Sequence, residues 1–592
     1  MIYLEKMTVA ELGLRAAEKY RCRKAFEIYG DGHVYNGVCF GEFGLRIRQF
    51  AALLYSLGLR RGDRVMILSE NRPEWAMAYF GTALAGMAAV PVLTEFTGEH
   101  IAGIAAHAGV SALWVSGKLA PKPAGAGFDP DIPLIYLDSL RDEEGGGGVK
   151  KAETPGPAGG TIRVSVRGRV KDLPLREIDP REGGGAVFPE PREDDLAAII
   201  YTSGTTGNSK GVMLSNRNLI FTVLAARSLL KIFPRDRLFS IIPLAHTYEC
   251  TLGLLMAVLC GASTTYLDRA PSPMVLLPAI QALRPTAMHT VPLIIEKIYR
   301  SRLLPALKAN PLYRFPLTRP LAIRGAGQKL LSFFGGAVRF FGVGGAPLSE
   351  DTEVFLRKAQ FPYAPGYGLT ETAPLVAGTA PYKTPLGAAG RVIKGVEVRI
   401  VDKDGRVVGA AARRLAVPYR EFAEGEIQVR GPNVMMGYYR DPERTREAFT
   451  ADGWFKTGDL GCFDRKGFLY IRGRLKTVIL GPSGENIYPE EIEGLLTSSG
   501  LAEDALVYPG ERGELIALVV LSEKAKTMLA AIGEGLGELK NAVNQRLASF
   551  ARISRIEVQN EPFEKTPTQK IKRFLYTPGE KSGAQKDPPP SP

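Results

Sequence analysis

The sequence predicts an α/β protein, a large N-terminal multilayer domain followed by a small C-terminal α+β domain. Three observations carry this expectation. Apolar strand-like runs alternate with helical runs from the first hundred residues onward, the pattern of βαβ units and parallel sheet. The chain has 592 residues, several times the usual domain size of about 150, so more than one domain is expected. After Gly473–Arg474 the texture changes to short strands and two helices, with enough chain for a separate small domain.

Taken in order, Arg64–Leu68 (RVMIL) reads as a buried strand. Pro73 and Glu74 open the next helix, because proline suits a first turn and an acid suits the positive end of the helix dipole. Trp75, Tyr79, Phe80 and Leu84 give that helix its apolar positions, and Met87–Leu93 (MAAVPVL) reads as the next strand. Residues 118–193 contain KPAGAG, EEGGGGVKKAETPGPAGG and REGGGAVFPEPRED. Glycine, proline and charge dominate there, so the stretch reads as an insertion or long loop, although Ile162–Val170 alternates and suits a hairpin arm. From Asp195 to about Arg472 the α/β pattern resumes. Beyond it, Pro489, Glu490 and Glu491 start one helix that Gly500 ends, and Leu536–Ser549 is the other. The expected division is 1–472, 473–576 and a disordered tail, 577–592.

Apolar residues make up 45% and charged residues 23%, which excludes a disordered chain, a collagen and a coiled coil. Cys22, Cys39, Cys250, Cys260 and Cys462 are odd in number and scattered, which argues against a disulfide framework and fits a reducing compartment. Glu5, Lys6 and Glu11 interrupt any apolar leader, and the apolar run Thr251–Ala262 is shorter than the roughly 18 residues of a membrane span. A cytoplasmic protein is expected. The net charge of +13 favours anionic partners without choosing among nucleic acid, lipid, nucleotide or CoA. No nucleic-acid-binding motif accompanies it, so nucleic acid is not an expected partner. Between Lys297 and Ser349 there is no acid at all. Lys297, Arg300, Arg302, Lys308, Arg314, Arg319, Arg324, Lys329 and Arg339 alternate there with leucines and phenylalanines. This stretch reads either as a solvated face over a core or as a patch for peripheral contact with the inner, anionic face of a membrane.

The strongest local signal is Tyr201–Gly211 (YTSGTTGNSKG). The apolar strand Leu196–Ile200 runs into Ser203, Gly204, Thr205, Thr206 and Gly207, with Lys210 behind them. Glycines let backbone N–H groups approach a ligand, hydroxyls add donors and the lysine adds positive charge, so the loop suits phosphate oxygens. It is not a Walker A sequence: Ser209 precedes Lys210, Gly211 follows it, and Gly211–Leu214 reads as a second strand before a helix starts near Ser215–Asn218.

YTSGTTGNSKGVMLSNRNL resembles the signature of the adenylate-forming (ANL) superfamily of acyl-CoA synthetases, luciferases and related ligases. The superfamily's other motifs follow in order: GYGLTET (366–372), GWFKTGD (453–459), RGRLKTVILGPSGENIYP (472–489) and PTQKIKR (567–573), with LSENRPEWAMAYFGTALAGMAAVPV (68–92) earlier. GVMLSNRNL, PLAHTYE (243–249) and TPTQKIKR are most similar to the long-chain fatty acid branch.

The resemblance implies an ANL-type fold with a mobile small domain and a two-step reaction. ATP and Mg²⁺ activate a carboxylate as its adenylate, and CoA, the co-substrate, then takes the acyl group. Ser203 to Lys210 would hold the β- and γ-phosphates, Tyr367 with Gly368 and the Gly345–Ala346 turn would border adenine, and Asp459 and Arg474 would meet the ribose. Thr370 would sit near the phosphates, Glu371 would ligate Mg²⁺ with Thr206 beside it, and Lys570 would reach the carboxylate and α-phosphate. Lys476 would be the hinge, followed by Thr477 where many relatives have aspartate. His246 and Tyr248 would shape the acyl pocket, and Gly484, Glu485 and Asn486 would line the CoA channel. Alternatives are a ligase that loads an acyl carrier protein, one that stops at the acyl-adenylate, or a basic lipid- or nucleic-acid-binding protein without catalysis.

Overall fold

The computed structural model describes residues 2–141, 161–174, 189–202, 210–411, 422–480, 486–510, 513–523, 525–526, 535–565 and 571–577. Ser203, Gly204, Thr205, Thr206, Gly207, Gly484, Glu485 and Lys570 lie outside these residues, as do the Arg413–Arg420 segment and the tail from 578 onward.

Up to Arg474 the described residues build two large sheets. In the first, the parallel strands Lys24–Gly30, Ser263–Leu267, Arg237–Phe239, Ala287–Thr290, Phe340–Val343 and Tyr363–Tyr367 lie side by side. This run continues into an antiparallel part that passes through Phe468–Arg474, Phe455–Phe463 and Gly425–Arg430 and ends in Glu397–Val401 and Val407–Ala411. In the second, the parallel strands Arg64–Leu68, Ala88–Pro91, Val110–Val115 and Leu196–Thr202 continue into antiparallel Lys210–Ser215 and Gly437–Tyr438. Helix Pro73–Leu84 touches both sheets, and all of its residues are buried. Its sequence is apolar all round, as a helix enclosed by two layers requires.

Within 118–193 the hairpin expected around Ile162–Val170 is present, and the other residues described there also include ordered elements rather than forming one long loop. Pro121–Ala124 is a helical turn, Leu134–Arg141 pairs parallel to Val110–Val115, and Thr161–Val166 with Arg169–Pro174 forms a hairpin on that edge. Arg167 and Gly168 both take positive φ, as a two-residue hairpin turn demands. The composition is poor in apolar residues because these strands borrow an existing sheet edge. Ile162 and Val164 alone are buried by the hairpin's first arm among its large apolar residues.

From Ile479 onward the chain builds separately. A two-stranded ribbon, Ile479–Leu480 with Asn486–Ile487, precedes helix Pro489–Ser498 and a three-stranded sheet of Ala502–Pro509, Leu515–Leu521 and Ile553–Val558. Helix Gly535–Asn544 replaces the longer helix expected over Leu536–Ser549; it stops where Asn544 turns its side chain to bond Ile553 N and O. This region has two apolar clusters of its own. No helix among the described residues is long and apolar enough to cross a membrane; Thr251–Ala262 lies within a buried π-helical turn, Glu249–Leu255, and the short helix Met256–Cys260.

Candidate active site

The strand Leu196–Thr202 pairs with Lys210–Ser215 such that Thr202 stands opposite Lys210. Thr202 and Lys210, which flank the expected phosphate loop, are therefore held side by side by the ladder. Ser215 then caps the helix Asn216–Leu230 in a reciprocal capping box with Asn218 (3.2 and 2.8 Å). The Asn218 amide also donates to Pro432 O and Val434 O, both at 2.8 Å, and so anchors the turn that leads to Tyr438.

Tyr438 is the residue that sequence reasoning missed. Lys210 Nζ stands 4.9 Å from the centre of its ring, and its hydroxyl donates to Glu371 Oε1 at 3.0 Å. One tyrosine thus links the lysine behind the phosphate loop to the expected Mg²⁺ ligand. Burial and the Glu371 charge push the Tyr438 hydroxyl well above its usual range, so it stays a donor. Glu371 Oε2 has no partner among the described residues, and Met435 N holds the Glu371 carbonyl at 2.9 Å. No cluster of three or more His, Cys, Asp or Glu side chains suited to a metal exists among the described residues. One free carboxylate oxygen fits Mg²⁺, which takes one or two protein carboxylates and fills its shell with phosphate oxygens and water. Thr370 opens the same 3₁₀ turn. The turn can fold because Gly368 has no Cβ; one built there would lie 1.7 Å from Pro374 O.

At the expected ribose end, Asp459 is 4% exposed and faces Arg474 across the ladder. Its Oδ1 meets Arg474 Nε at 3.0 Å, and its Oδ2 accepts from the Tyr367 hydroxyl at 2.8 Å. Tyr367 therefore orients Asp459 through its hydroxyl, in addition to the ring face expected for adenine. Burial and the Asp459 charge push Tyr367 well above its usual range. Gly345 (φ +87) and Ala346 are exposed on the turn after Phe340–Val343.

The Tyr248 ring packs against this turn: a Cβ on Gly344 would touch it at 3.3 Å, and one on Gly342 would meet its hydroxyl at 2.8 Å. His246 is half-buried one turn earlier. Behind Tyr248 lie two groups to which the sequence reading gave no role. His289 packs edge-on against Tyr248 with ring centres 5.1 Å apart, and Glu249 Oε2 stands 3.9 Å from His289 Nδ1. Both are buried. Desolvation pushes Glu249 up to about 8 and His289 down to about 4, so both are neutral near pH 7.

Lys476 is exposed in the turn Leu475–Thr477, and Thr477 donates to Glu490 Oε1 of the small domain at 2.7 Å. Asn486 pairs with Leu480 through the backbone. Lys565 and Ile571, which flank residues 566–570, form a bridge. The neighbouring cations are engaged within the small domain: Lys565 with Asp504 (2.7 Å), Lys572 with Glu564 (3.1 Å) and Arg573 with Glu493 (2.5 Å).

A family model described as "AMP-binding enzyme" matches residues 14–439. The long-chain-fatty-acid–CoA ligase FadD15 of Mycobacterium bovis is 29% identical, covering 91% of this chain and 90% of its own. The 4-coumarate–CoA ligase 1 of Solanum tuberosum is 27% identical, covering 90% and 87%. The crystal structure of ATP-bound MatB from Rhodopseudomonas palustris superposes with a TM-score of 0.70 at 25% identity, covering 96% of this chain and 98% of that one.

Proposed function

Because the chain belongs to the AMP-binding enzyme family and is an adenylate-forming acyl-CoA ligase by kind, we propose that its acid is a long-chain fatty acid. The acid's carboxylate oxygen attacks the α-phosphorus of ATP, the bond to the β-phosphate oxygen breaks, and pyrophosphate leaves. The CoA thiolate then attacks the acyl carbonyl carbon and AMP leaves with the mixed-anhydride oxygen. The observation that carries the chemistry is the stack of Lys210, Tyr438 and Glu371 at the foot of the phosphate loop. The chain length is supported by relatives named as long-chain ligases, against which the 4-coumarate ligases stand as the other substrate class.

In this reading Lys210 and the loop of Ser203, Gly204, Thr205, Thr206 and Gly207 bind the β- and γ-phosphates, and Asp459 accepts the ribose hydroxyls with its orientation held by Arg474 and Tyr367. Glu371 Oε2 holds Mg²⁺, with Thr370 and Thr206 beside it; when bound, the ion neutralises phosphate charge. Lys570 brings a cation to the carboxylate and α-phosphate as their charges converge. Tyr248 and His246 wall the acyl group, and Gly484, Glu485 and Asn486 face CoA after the small domain has turned about Lys476. The division at 472/473 into a fixed and a turning body belongs to the same proposal. The test is AMP release from ATP and Mg²⁺ with palmitate, 4-coumarate and acetate in turn, with and without CoA. Release that needs both palmitate and CoA supports the reading. Activity confined to 4-coumarate or acetate overturns the substrate, and acyl-adenylate that accumulates without consuming CoA overturns the acceptor.

The membrane patch belongs to this proposal in a narrowed form. Arg300 and Arg339 leave it, because Arg300 faces the small domain and Arg339 binds Asp236. What remains is the turn around Pro311–Arg314 and the start of helix Arg319–Phe333, where Phe315 (64%), Leu317 (94%) and Leu321 (63%) are exposed among Arg314, Arg319 and Arg324. Exposed apolar side chains within a cationic surface suit the cytoplasmic, anionic face of a bilayer, the source of such acids. Flotation with anionic vesicles that survives the double variant Phe315→Ser, Leu317→Ser would overturn it.

A further inference from the structure

Arg300 sits in a π-helical turn, Tyr299–Leu303, that interrupts the helical run from Pro292 to Ala309. Such turns redirect side chains and recur at functional positions. Its Nη1 donates to Thr497 O at 3.2 Å and its Nη2 to Ser498 Oγ at 3.0 Å. Both acceptors stand at the end of helix Pro489–Ser498 of the small domain, where the helix dipole is negative; one is a hydroxyl, and the other, Thr497 O, also accepts from Gly500 N at 3.2 Å. An arginine is the cation best matched to two such acceptors.

On its own side Arg300 faces two carboxylates at distances of ion pairs, longer than hydrogen bonds: Asp351 Oδ1 at 3.6 Å and Glu296 Oε2 at 3.7 Å. Arg300 Nε and Asp351 Oδ1 are buried without a hydrogen-bond partner. The guanidinium is thus drawn out toward the small domain, with a second set of acceptors a fraction of an ångström short of bonding. Glu296 also accepts from Ser349 N at 2.7 Å, two residues beyond the Gly344–Pro347 turn. Among the described residues Tyr488 also donates to Glu424 Oε2 at 2.6 Å and Arg546 pairs with Glu350 at 3.3 Å; both contacts are exposed, and a surface ion pair contributes little.

From this we infer that Arg300 is an interdomain latch with two alternative partner sets. Bonded to Thr497 and Ser498, it holds the small domain in the orientation described; drawn back onto Asp351 and Glu296, it releases it. Because both sets satisfy the guanidinium, release strands no buried charge, and the exchange is bistable rather than costly. Arg300 is a positioning residue: it acts on the ligase through the orientation of the domain that carries Lys570.

The inference rests on the two-step reading above, so its test separates the steps. In the full-length protein, pyrophosphate release in a single turnover reports the first step, and thioester formed from supplied acyl-AMP and CoA reports the second. Arg300→Ala should slow the step served by the docked orientation and leave the other unchanged or faster, moving the ratio of the two rates by about five-fold or more. Asp351→Asn, which removes one of the two competing carboxylates, should move the ratio the opposite way, and Arg300→Lys should restore part of the Ala loss. Equal losses in both steps, no change in the ratio, or shifts of the same sign in the two variants would overturn the latch. Small-angle scattering gives a readout independent of chemistry. A larger radius of gyration is expected for Arg300→Ala, and a profile identical to the unmodified protein overturns the latch even if no acid is adenylated.

Discussion

Glu249 offers a prediction whose size follows from its surroundings. It opens the π-helical turn behind Tyr248, is 2% exposed, and its Oε2 has no hydrogen-bond partner. Unfolded, it loses its proton near pH 4.5; folded, it keeps it to about 8. Between those values the native state holds a proton that the unfolded chain has lost, so stability falls as pH rises. His289, neutral down to about 4 against 6.5 when unfolded, has the opposite sign: its contribution is present above 6.5 and is lost as pH falls toward 4. Tyr248, Tyr266 and Cys250, packed around them, are all pushed up by burial and do not titrate in this range. The two slopes therefore oppose each other from 4.5 to 6.5, and from 6.5 to 8 Glu249 acts alone. At about 1.4 kcal/mol per pH unit, that window removes about 2 kcal/mol from the native state. Glu249→Gln keeps the shape and removes the titration. Urea unfolding followed by tryptophan fluorescence, with Trp75, Trp114 and Trp454 all buried in the large domain, should show the variant gaining about 2 kcal/mol on the unmodified protein between pH 6.5 and 8. Parallel pH profiles for the two proteins would refute a neutral, buried Glu249.

Three further outcomes are expected. Gly368→Ala places a methyl 1.7 Å from Pro374 O, so the turn bearing Thr370 and Glu371 must move; adenylate formation should fall by about 100-fold or more while ATP-independent folding, read by circular dichroism, is retained. Tyr438→Phe keeps the ring under Lys210 and removes the 3.0 Å bond to Glu371; it should raise the Mg²⁺ concentration needed for half-maximal activity by roughly ten-fold, with KM for the acid unchanged. Asp459→Asn weakens a charge-assisted pair with Arg474 and should raise KM for ATP by about 10- to 100-fold, read from initial rates at saturating acid.

The motifs were legible because each asks for residue types that few other structures need at that spacing. Gly368 shows it: its neighbour's carbonyl leaves no room for any side chain. The strand Arg64–Leu68, the helix from Pro73 and the strand pair around the phosphate loop stand where apolar runs, proline and glycine place them. Tyr438 was not legible, since its role depends on the strand Gly437–Tyr438 crossing more than 220 residues of chain to pair with Val212. His289 and Glu249 were hidden for a related reason: they lie 40 residues apart in sequence, and only the packing of one strand against one helical turn brings them together. Within 118–193 the alternation of Ile162–Val170 was legible as a hairpin arm; the strand Leu134–Arg141 that gives it a sheet edge was not, because that strand depends on pairing with Val110–Val115.

The pairing of Asp459 with Arg474 has a consequence for how the two parts of the chain must stay joined. Arg474 is the last residue of its strand, and the turn Leu475–Thr477 begins at once. The link is thus only a few residues, a reach of about 10 Å, and its fixed end is a residue already paired with the buried Asp459 carboxylate. A tether this short keeps the small domain at an effective concentration of at least millimolar order, whatever the dilution of the protein. Two halves expressed separately and cut at this turn would lose that advantage, and their joint activity would then depend on how much of each was present.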